Sequence, residues 1–181
     1  MKLALLVILL GAVWVASAQP ARIILIRHAE KPEDPEEAHL SPAGQERAQR
    51  LVKWLSAGKV LGTNGPPVLL YAPAPTRRGH GVRCLETLQP TASELHQTVF
   101  TPYPAADYAS LAKEVLNNRI ARGKNVVICW IHDYLPAFAT SLGVKKMPGK
   151  WKSSDFESAY VITFPKGKAK LEMTREKLKK P

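Results

Sequence analysis

The sequence has only two cysteines, Cys84 and Cys129, and they lie too far apart in the chain to form a CxxC motif. This scarcity excludes a disulfide-rich scaffold and a compact cysteine motif for zinc or redox chemistry. Aromatic residues make up 7% of the chain and do not alternate with its basic stretches, so we expect no stacking platform for nucleic acid. Beyond residue 18 no apolar run is long enough to span a bilayer, and we expect no stable membrane insertion.

The chain has 181 residues, of which 45% are hydrophobic and 23% charged, as in an ordinary globular domain. Lys and Arg number 26 against 15 Asp and Glu, which gives a formal net charge of +11. This surplus favours anionic partners such as phosphorylated metabolites, acidic polymers or anionic lipid. The lysines between residues 166 and 180 raise a hypothesis of a basic surface-associating protein, although most charge runs are solvated faces.

Residues 1–18 have the order of a secretory signal: Lys2, an apolar run that ends at Val15, and the triplet Ala16-Ser17-Ala18. We expect cleavage after Ala18 and export to the periplasm or the extracellular space. An uncleaved anchor is the alternative, but the apolar run is short for a span of ~20 residues. The remaining residues 19–181 then form a single domain with a basic C-terminal hairpin and tail. We expect two buried free thiols rather than a disulfide.

Short apolar runs alternate with amphipathic stretches along this domain. The runs predict strands at residues 22–26, 68–71, 98–101 and 126–130, and a terminal hairpin of residues 159–164 and 169–173. Helices are predicted from Pro42 with Ser41 as N-cap, over 83–95 with Pro90 capping or kinking it, over 107–122, and over 135–142. The helix over 107–122 is expected to bury Tyr108, Leu111, Val115 and Ile120. Alternation of this kind predicts a layered α/β domain with a mainly parallel sheet.

Ligands of such sheets bind beyond the carboxyl ends of the strands. Those ends carry Arg27-His28, the loop of residues 72–81, and the segment Ile131-His132-Asp133. His28 and His132 follow strands that we expect to be neighbours, so both imidazoles would face one crevice. The other three histidines lie in loops or at a helix end and are interpreted as structural; they are His39, His80 and His96.

Two imidazoles beside arginines suit phosphoryl chemistry. A neutral imidazole can attack phosphorus in line, while guanidinium groups bind the equatorial oxygens in bidentate fashion. A metal site is the rival use of two histidines, but HxH and HExxH spacings are absent and the arginines would repel a cation. We therefore expect an anion site rather than a metal site.

Four segments, in order, resemble motifs of the histidine phosphatase superfamily and cover roughly residues 21–165. The segment around Arg27-His28-Ala29 resembles the RHG/RHA motif, and residues 40–48 (LSPAGQERA) resemble the start of the family's first helix. Residues 83–87 (RCLET) resemble its R-x-x-x-T segment, and residues 126–132 with Pro136 and Leu142-Gly143 resemble the second histidine strand and helix. The resemblance implies a phosphoglycerate-mutase-like fold, a three-layer α/β/α sandwich, and chemistry that needs no metal and no organic cofactor.

The resemblance also implies roles for single residues. His28 would be the nucleophile, Arg27 and Arg83 would bind the phosphoryl oxygens, and His132 would stabilise the transferring group. Arg77 and Arg78 compete with Arg83 for the phosphate role. The general acid stays open between Asp133, which could instead cap the following helix, and Glu30, which could instead balance local charge.

The sequence therefore predicts a metal-independent phosphatase that hydrolyses small phosphomonoesters through a phosphohistidine on His28. A mutase is disfavoured because little sequence remains for the loops that would retain a phosphorylated intermediate. The family usually has a small hydroxyl residue in the loop where this chain has Ala72-Pro73. This departure motivates an alternative from another class, a noncatalytic phosphoanion-binding protein. Neither the substrate nor the oligomeric state can be inferred from the residues.

Overall fold

The computed structural model describes residues 19–34 and 36–176. The predicted signal segment lies outside these residues, so cleavage and export stay predictions. A six-stranded sheet forms the centre, in the order β3-β2-β4-β1-β5-β6. Its strands are β1 Arg22–Arg27, β2 Pro67–Tyr71, β3 Val99–Phe100, β4 Asn125–Trp130, β5 Ser158–Thr163 and β6 Lys170–Arg175.

The first four strands of the chain run parallel to one another, β5 runs antiparallel to them, and β6 runs antiparallel to β5. β4 pairs in parallel with both β1 and β2, and β2 pairs in parallel with β3. β5 pairs antiparallel with β1 and with β6, which confirms the predicted terminal hairpin. The continuous apolar runs of β1 and β4 follow from this order, because both strands are central and are covered on both faces.

Four helices cover the two faces of the sheet. They are α1 Pro42–Ala57, α2 Val82–Glu94, α3 Tyr108–Asn117 and α4 Leu135–Ser141. On one face, Leu51 and Leu88 of α1 and α2 pack against the sheet, and on the other Leu111 and Phe138 of α3 and α4 do so. The fold is thus the expected three-layer α/β/α sandwich with a mostly parallel sheet.

Most of the predicted elements are confirmed, with two differences. Helix α2 continues through Pro90 instead of ending there. Helix α3 ends at Asn117, five residues early, because the Asn118 side chain accepts a hydrogen bond from the Ile120 amide and turns the chain. The expectation that Ile120 is buried is therefore wrong, since this residue is 66% exposed.

The register of β1 and β4 determines where their loops leave the sheet. Arg27, the last residue of β1, is paired with Trp130, the last residue of β4. His28 follows one residue later and His132 two residues after Trp130, so both leave the same edge of adjacent strands. Cys84 and Cys129 are buried free thiols, as expected, and burial together with the neighbouring Cys84 raises the pKa of the Cys129 thiol. Within the described residues, no helix has the length and apolar character needed to cross a membrane.

Candidate active site

A cavity of about 170 Å³ opens at the carboxyl ends of β1 and β4. All five predicted site residues line it: Arg27, His28, Arg83, His132 and Asp133. The remaining lining residues are Lys31, His80, Gly81, Cys84 and Ile131. Residues distant in the chain meet here because the parallel strands end at one edge and α2 starts beside it.

His28 is held with one ring nitrogen free. Its side chain is buried, with 7% of the residue exposed, and its Nδ1 lies 2.7 Å from the carbonyl oxygen of Ala29. A carbonyl can only accept a hydrogen bond, so Nδ1 carries the proton and donates it. The other ring nitrogen, Nε2, is then unprotonated, and its lone pair is available for nucleophilic attack.

The surroundings of both histidines favour the neutral imidazole. Burial, together with the positive charges of Arg27 and Arg83, lowers the pKa of His28 to about 4. Burial and the charges of Arg27 and Lys31 also lower the pKa of His132, although Asp133 opposes this change. At neutral pH both rings are therefore uncharged, and His28 is available as a base or nucleophile.

The Arg27 side chain is held on one side by the segment before β5. It is 2% exposed, and its guanidinium carbon lies 3.8 Å from the ring centroid of Phe156. Its Nη1 donates to the carbonyl oxygens of Ser153 and Asp155, the latter at 3.4 Å. Its Nε is buried and has no hydrogen-bond partner among the described residues. Arg27 also lines the cavity at His28, so this oriented guanidinium borders the place where a ligand would bind.

A buried ion pair supports the Phe156 segment from behind. Arg47 of α1 donates from Nη2 to the carbonyl oxygen of Phe156 and to Oε2 of Glu176, and its Nε donates to the same carboxylate oxygen at 3.0 Å. Both side chains are almost fully buried. Burial raises the pKa of Glu176, and the Arg47 guanidinium opposes the rise. A residue of the first helix and one beyond the last strand therefore hold the segment on which Arg27 rests.

Arg83 enters the site from the first turn of α2 and is only partly buried. Its Nη1 donates to the carbonyl oxygen of Glu37 at 2.8 Å. One turn later, the Thr87 hydroxyl accepts from the Ala29 amide at 2.9 Å and donates to the Arg83 carbonyl at 2.7 Å. The threonine of the R-x-x-x-T segment thus ties the loop after β1 to the start of α2.

The first helix approaches the same loop closely. A Cβ atom at Gly44 would lie 2.3 Å from the carbonyl oxygen of Glu30, so only glycine fits at this point. That carbonyl also accepts hydrogen bonds from the amide and hydroxyl of Ser41, and the Ser41 hydroxyl caps α1 by accepting from the Gly44 amide. These contacts fix the backbone immediately after His28.

The two candidate acids occupy different places. Asp133 lines the cavity, its side chain is 74% exposed, and its Oδ1 lies 3.4 Å from Nε2 of His132. Glu30 is not among the lining residues. One of its carboxylate oxygens is buried, and its charge acts on Glu176 behind the site. The geometry therefore places Asp133, and not Glu30, at the mouth of the cavity.

The structure adds residues that the sequence did not single out for the site. His80, interpreted as structural from sequence, lines the cavity, and Lys31 contributes a further cation. Arg77 and Arg78 do not line it but border an adjoining cleft of about 860 Å³. From the sequence, only the basic character of the loop around His80 could have indicated that the loop lies near the site, because the path of a loop cannot be derived from hydrophobic periodicity. Within residues 19–34 and 36–176, no group of three or more His, Cys, Asp or Glu side chains is arranged to hold a metal ion.

Comparison with solved structures identifies the architecture. A protein assigned as the phosphohistidine phosphatase SixA from Agrobacterium tumefaciens superposes with a TM-score of 0.54 at 14% identity, over 87% of this chain and 98% of that one. This is the histidine-phosphatase fold. No family model matches the sequence, and no curated protein matches it significantly.

Two further structures with this fold were solved with phosphate-containing ligands. A mycobacterial glucosyl-3-phosphoglycerate phosphatase, in complex with inorganic phosphate, has a TM-score of 0.52 at 12% identity, over 86% of this chain and 97% of that one. A phosphoserine phosphatase from Entamoeba histolytica, in complex with 3-phosphoglyceric acid, has a TM-score of 0.51 at 12% identity, over 86% and 98%. At these identities the likeness concerns the fold, and the chemistry must be argued from the residues of this chain.

Proposed function

We propose that this protein is a metal-independent phosphatase that hydrolyses phosphomonoesters through a phosphohistidine on His28. The observation that carries the proposal is a neutral imidazole with Nε2 unprotonated, in a small cavity that Arg27 and Arg83 also line. The shared fold with phosphatases is consistent with it.

In the first step, the Nε2 lone pair of His28 attacks phosphorus and forms an N–P bond as the bond from phosphorus to the leaving oxygen breaks. Arg27 and Arg83 bind the equatorial oxygens, where negative charge is concentrated in the transition state. Neutral His132, which lines the same cavity, donates its single ring N–H to the same group. The low pKa of His28 keeps this step available from neutral pH down to about pH 4.

The leaving oxygen needs a proton, and Asp133 is the residue to which we assign its transfer. Its exposed carboxyl group lines the same cavity as His28 and so borders the place where the bond to the leaving oxygen breaks. In the second step water attacks phosphorus, the N–P bond breaks, and phosphate leaves. Asp133 accepts the proton of the water, and His28 returns to its starting state.

The test uses the purified protein with phenyl phosphate, with and without a chelator. We expect chelator-independent turnover and an acid-labile phosphoenzyme that a rapid quench traps on His28. His28→Asn should lower kcat by about 10³-fold or more, as removal of a nucleophile does in other enzymes. The matched control is His96→Asn, a change at an exposed histidine remote from the cavity with φ of 51°, which asparagine tolerates.

Turnover that a chelator abolishes, or that survives in His28→Asn, would reject the proposal. Phosphate binding without turnover and without a trappable phosphoenzyme would instead support the noncatalytic phosphoanion-binding protein.

A further inference from the structure

The cavity at His28 is too small for most substrates. Its volume of about 170 Å³ lies below the roughly 300–1,000 Å³ of typical small-molecule pockets, so it holds little more than a phosphoryl group. The adjoining cleft of about 860 Å³ shares His80 and Arg83 with it. A leaving group bound to a phosphoryl group at His28 therefore has this cleft as its continuation.

Two arginines that line this cleft are available to bind a ligand. Arg77 and Arg78 are the central residues of a tight turn, in which the Gly79 amide donates to the Thr76 carbonyl at 3.0 Å. Both are exposed, and neither guanidinium has a hydrogen bond or ion pair with any described residue. Their charges are thus available to a ligand.

The turn is held against the opposite wall of the cleft. Gly79 has a φ of +76°, and a Cβ atom there would lie 2.3 Å from the Cβ of Ala38. The His80 amide donates to the Thr76 hydroxyl at 3.2 Å, and the Thr76 amide donates to the His80 carbonyl at 2.9 Å. The two arginines are therefore presented from a defined backbone, although their side chains can adjust.

The acidic residues of the cleft are largely engaged elsewhere. The Glu37 carboxylate accepts from the His39 amide at 3.0 Å, and Glu86, beside the cleft, accepts from the His39 ring and from the Leu40 amide. Glu36 is the exception: its carboxylate has no partner among the described residues. The cleft thus has three arginines against two carboxylates, so its balance of charge is positive, and Glu36 is the carboxylate that no described group binds.

We propose that the cleft selects phosphomonoesters whose leaving group carries a second anionic group, which Arg77 and Arg78 bind. The inference rests on the proposed function, since it takes the phosphoryl group to lie at His28. Guanidinium groups suit this task because their planar donors match carboxylate or phosphate oxygens.

The experiment measures binding of phosphonates, whose P–C bond cannot be hydrolysed, so that it does not depend on turnover. Calorimetry compares 3- and 4-carboxybenzylphosphonate with the neutral 3- and 4-carbamoyl analogues. We expect at least one carboxylate isomer to bind about tenfold more tightly than its carbamoyl analogue, as a charge-assisted hydrogen bond would give. In the double variant R77Q/R78Q this ratio should fall to near one.

The matched control is R119Q/R122Q, which removes the same charge from two exposed arginines outside the cleft and should keep the ratio. Glu36→Gln should raise the ratio, because it removes the opposing charge. A ratio near one for both isomers in the unmodified protein, an unchanged ratio in R77Q/R78Q, or no binding of any of the four compounds would overturn the inference. Failure of the proposed function would appear separately, as absent turnover of phenyl phosphate by a protein that still discriminates these ligands.

Discussion

The candidate site has two sides, and each side holds an arginine guanidinium in a different way. On the side that we call the floor, Arg27 is buried, stacked on Phe156 and bonded to two carbonyl groups. On the side that we call the rim, Arg83 is partly exposed and bonded to one carbonyl group of Glu37. The difference teaches that one guanidinium is oriented before any ligand arrives, whereas the other can adjust to it.

An ion pair supports each side, and these pairs differ in the same way. Arg47 and Glu176 are buried behind the floor, while His39 and Glu86 form an exposed pair at the rim. A buried charge cannot lose its partner without leaving an unsolvated ion, but an exposed charge is compensated by water. We therefore expect the floor to be sensitive to substitution and the rim to tolerate it.

The largest effect is expected from removing the carboxylate of the floor. Glu176→Leu leaves the Arg47 guanidinium buried, and because arginine stays protonated, the variant should lose about 3–5 kcal/mol of unfolding free energy. Urea unfolding measures this loss. Glu86→Gln at the rim should cost much less. Similar losses in the two variants would contradict the distinction between floor and rim.

His28, which lies beside Arg27 of the floor, should make its own contribution to the pH dependence of stability. The pKa of His28 is lowered from 6.5 to about 4 in the folded protein, so the unfolded chain takes up the proton first as the pH falls. Between pH 7 and pH 4 the protein should therefore lose about 3 kcal/mol more stability than a His28→Gln variant.

His39 at the rim should contribute with the sign opposite to that of His28. The hydrogen bond to Glu86 raises the pKa of His39, so stability from this pair is present at low pH and is lost as the pH rises through that pKa. Urea unfolding of His39→Gln across the same range measures this. An identical pH slope in His28→Gln and the unmodified protein would show that burial of His28 does not act as described.

A smaller effect is expected when each arginine of the site becomes lysine. Arg27→Lys keeps the charge but loses the planar group that stacks on Phe156 and fixes the donors, so kcat for phenyl phosphate should fall about 100-fold. Arg83→Lys should lower kcat less than about tenfold, because an exposed side chain can adjust. Steady-state kinetics of both variants provide the measurement. Equal falls in kcat would mean that the orientation of Arg27 gives no advantage.

The position of the two histidines could be predicted because it depends on the sheet. Continuous apolar runs indicate the central strands, and parallel neighbours release their loops at one edge, which brings His28 and His132 to one cavity. The loop of residues 72–81 has no comparable periodicity. The sequence therefore placed this loop at the ligand edge of the sheet, but it did not predict that His80 lines the cavity or that Arg77 lies in a separate cleft.

The support behind the floor was missed for a different reason. The position of Arg47 could have been predicted: it follows Gly44 by three residues and precedes Leu51 by four, a spacing that places it on the buried face of α1. The ion pair was missed because the partner of Arg47 could not be predicted. This partner, Glu176, lies beside a lysine-rich tail and carries no such signal. The helix predicted over 107–122 shows the converse error, in which a sequence signal is present but the structure does not follow it. Apolar residues continue at helical spacing to Ile120, but Asn118 has already ended the helix.

The ends of the sheet bear on how molecules of this protein behave together at high concentration. One outermost strand, β3, is two residues long, and the other, β6, exposes three charged residues, Lys170, Glu172 and Arg175, beside Met173. A short or charged border offers little for a neighbouring backbone to join. Crowded copies should therefore resist aggregation through strand addition. The site is also remote from both edge strands, because it lies at the carboxyl ends of the central strands β1 and β4.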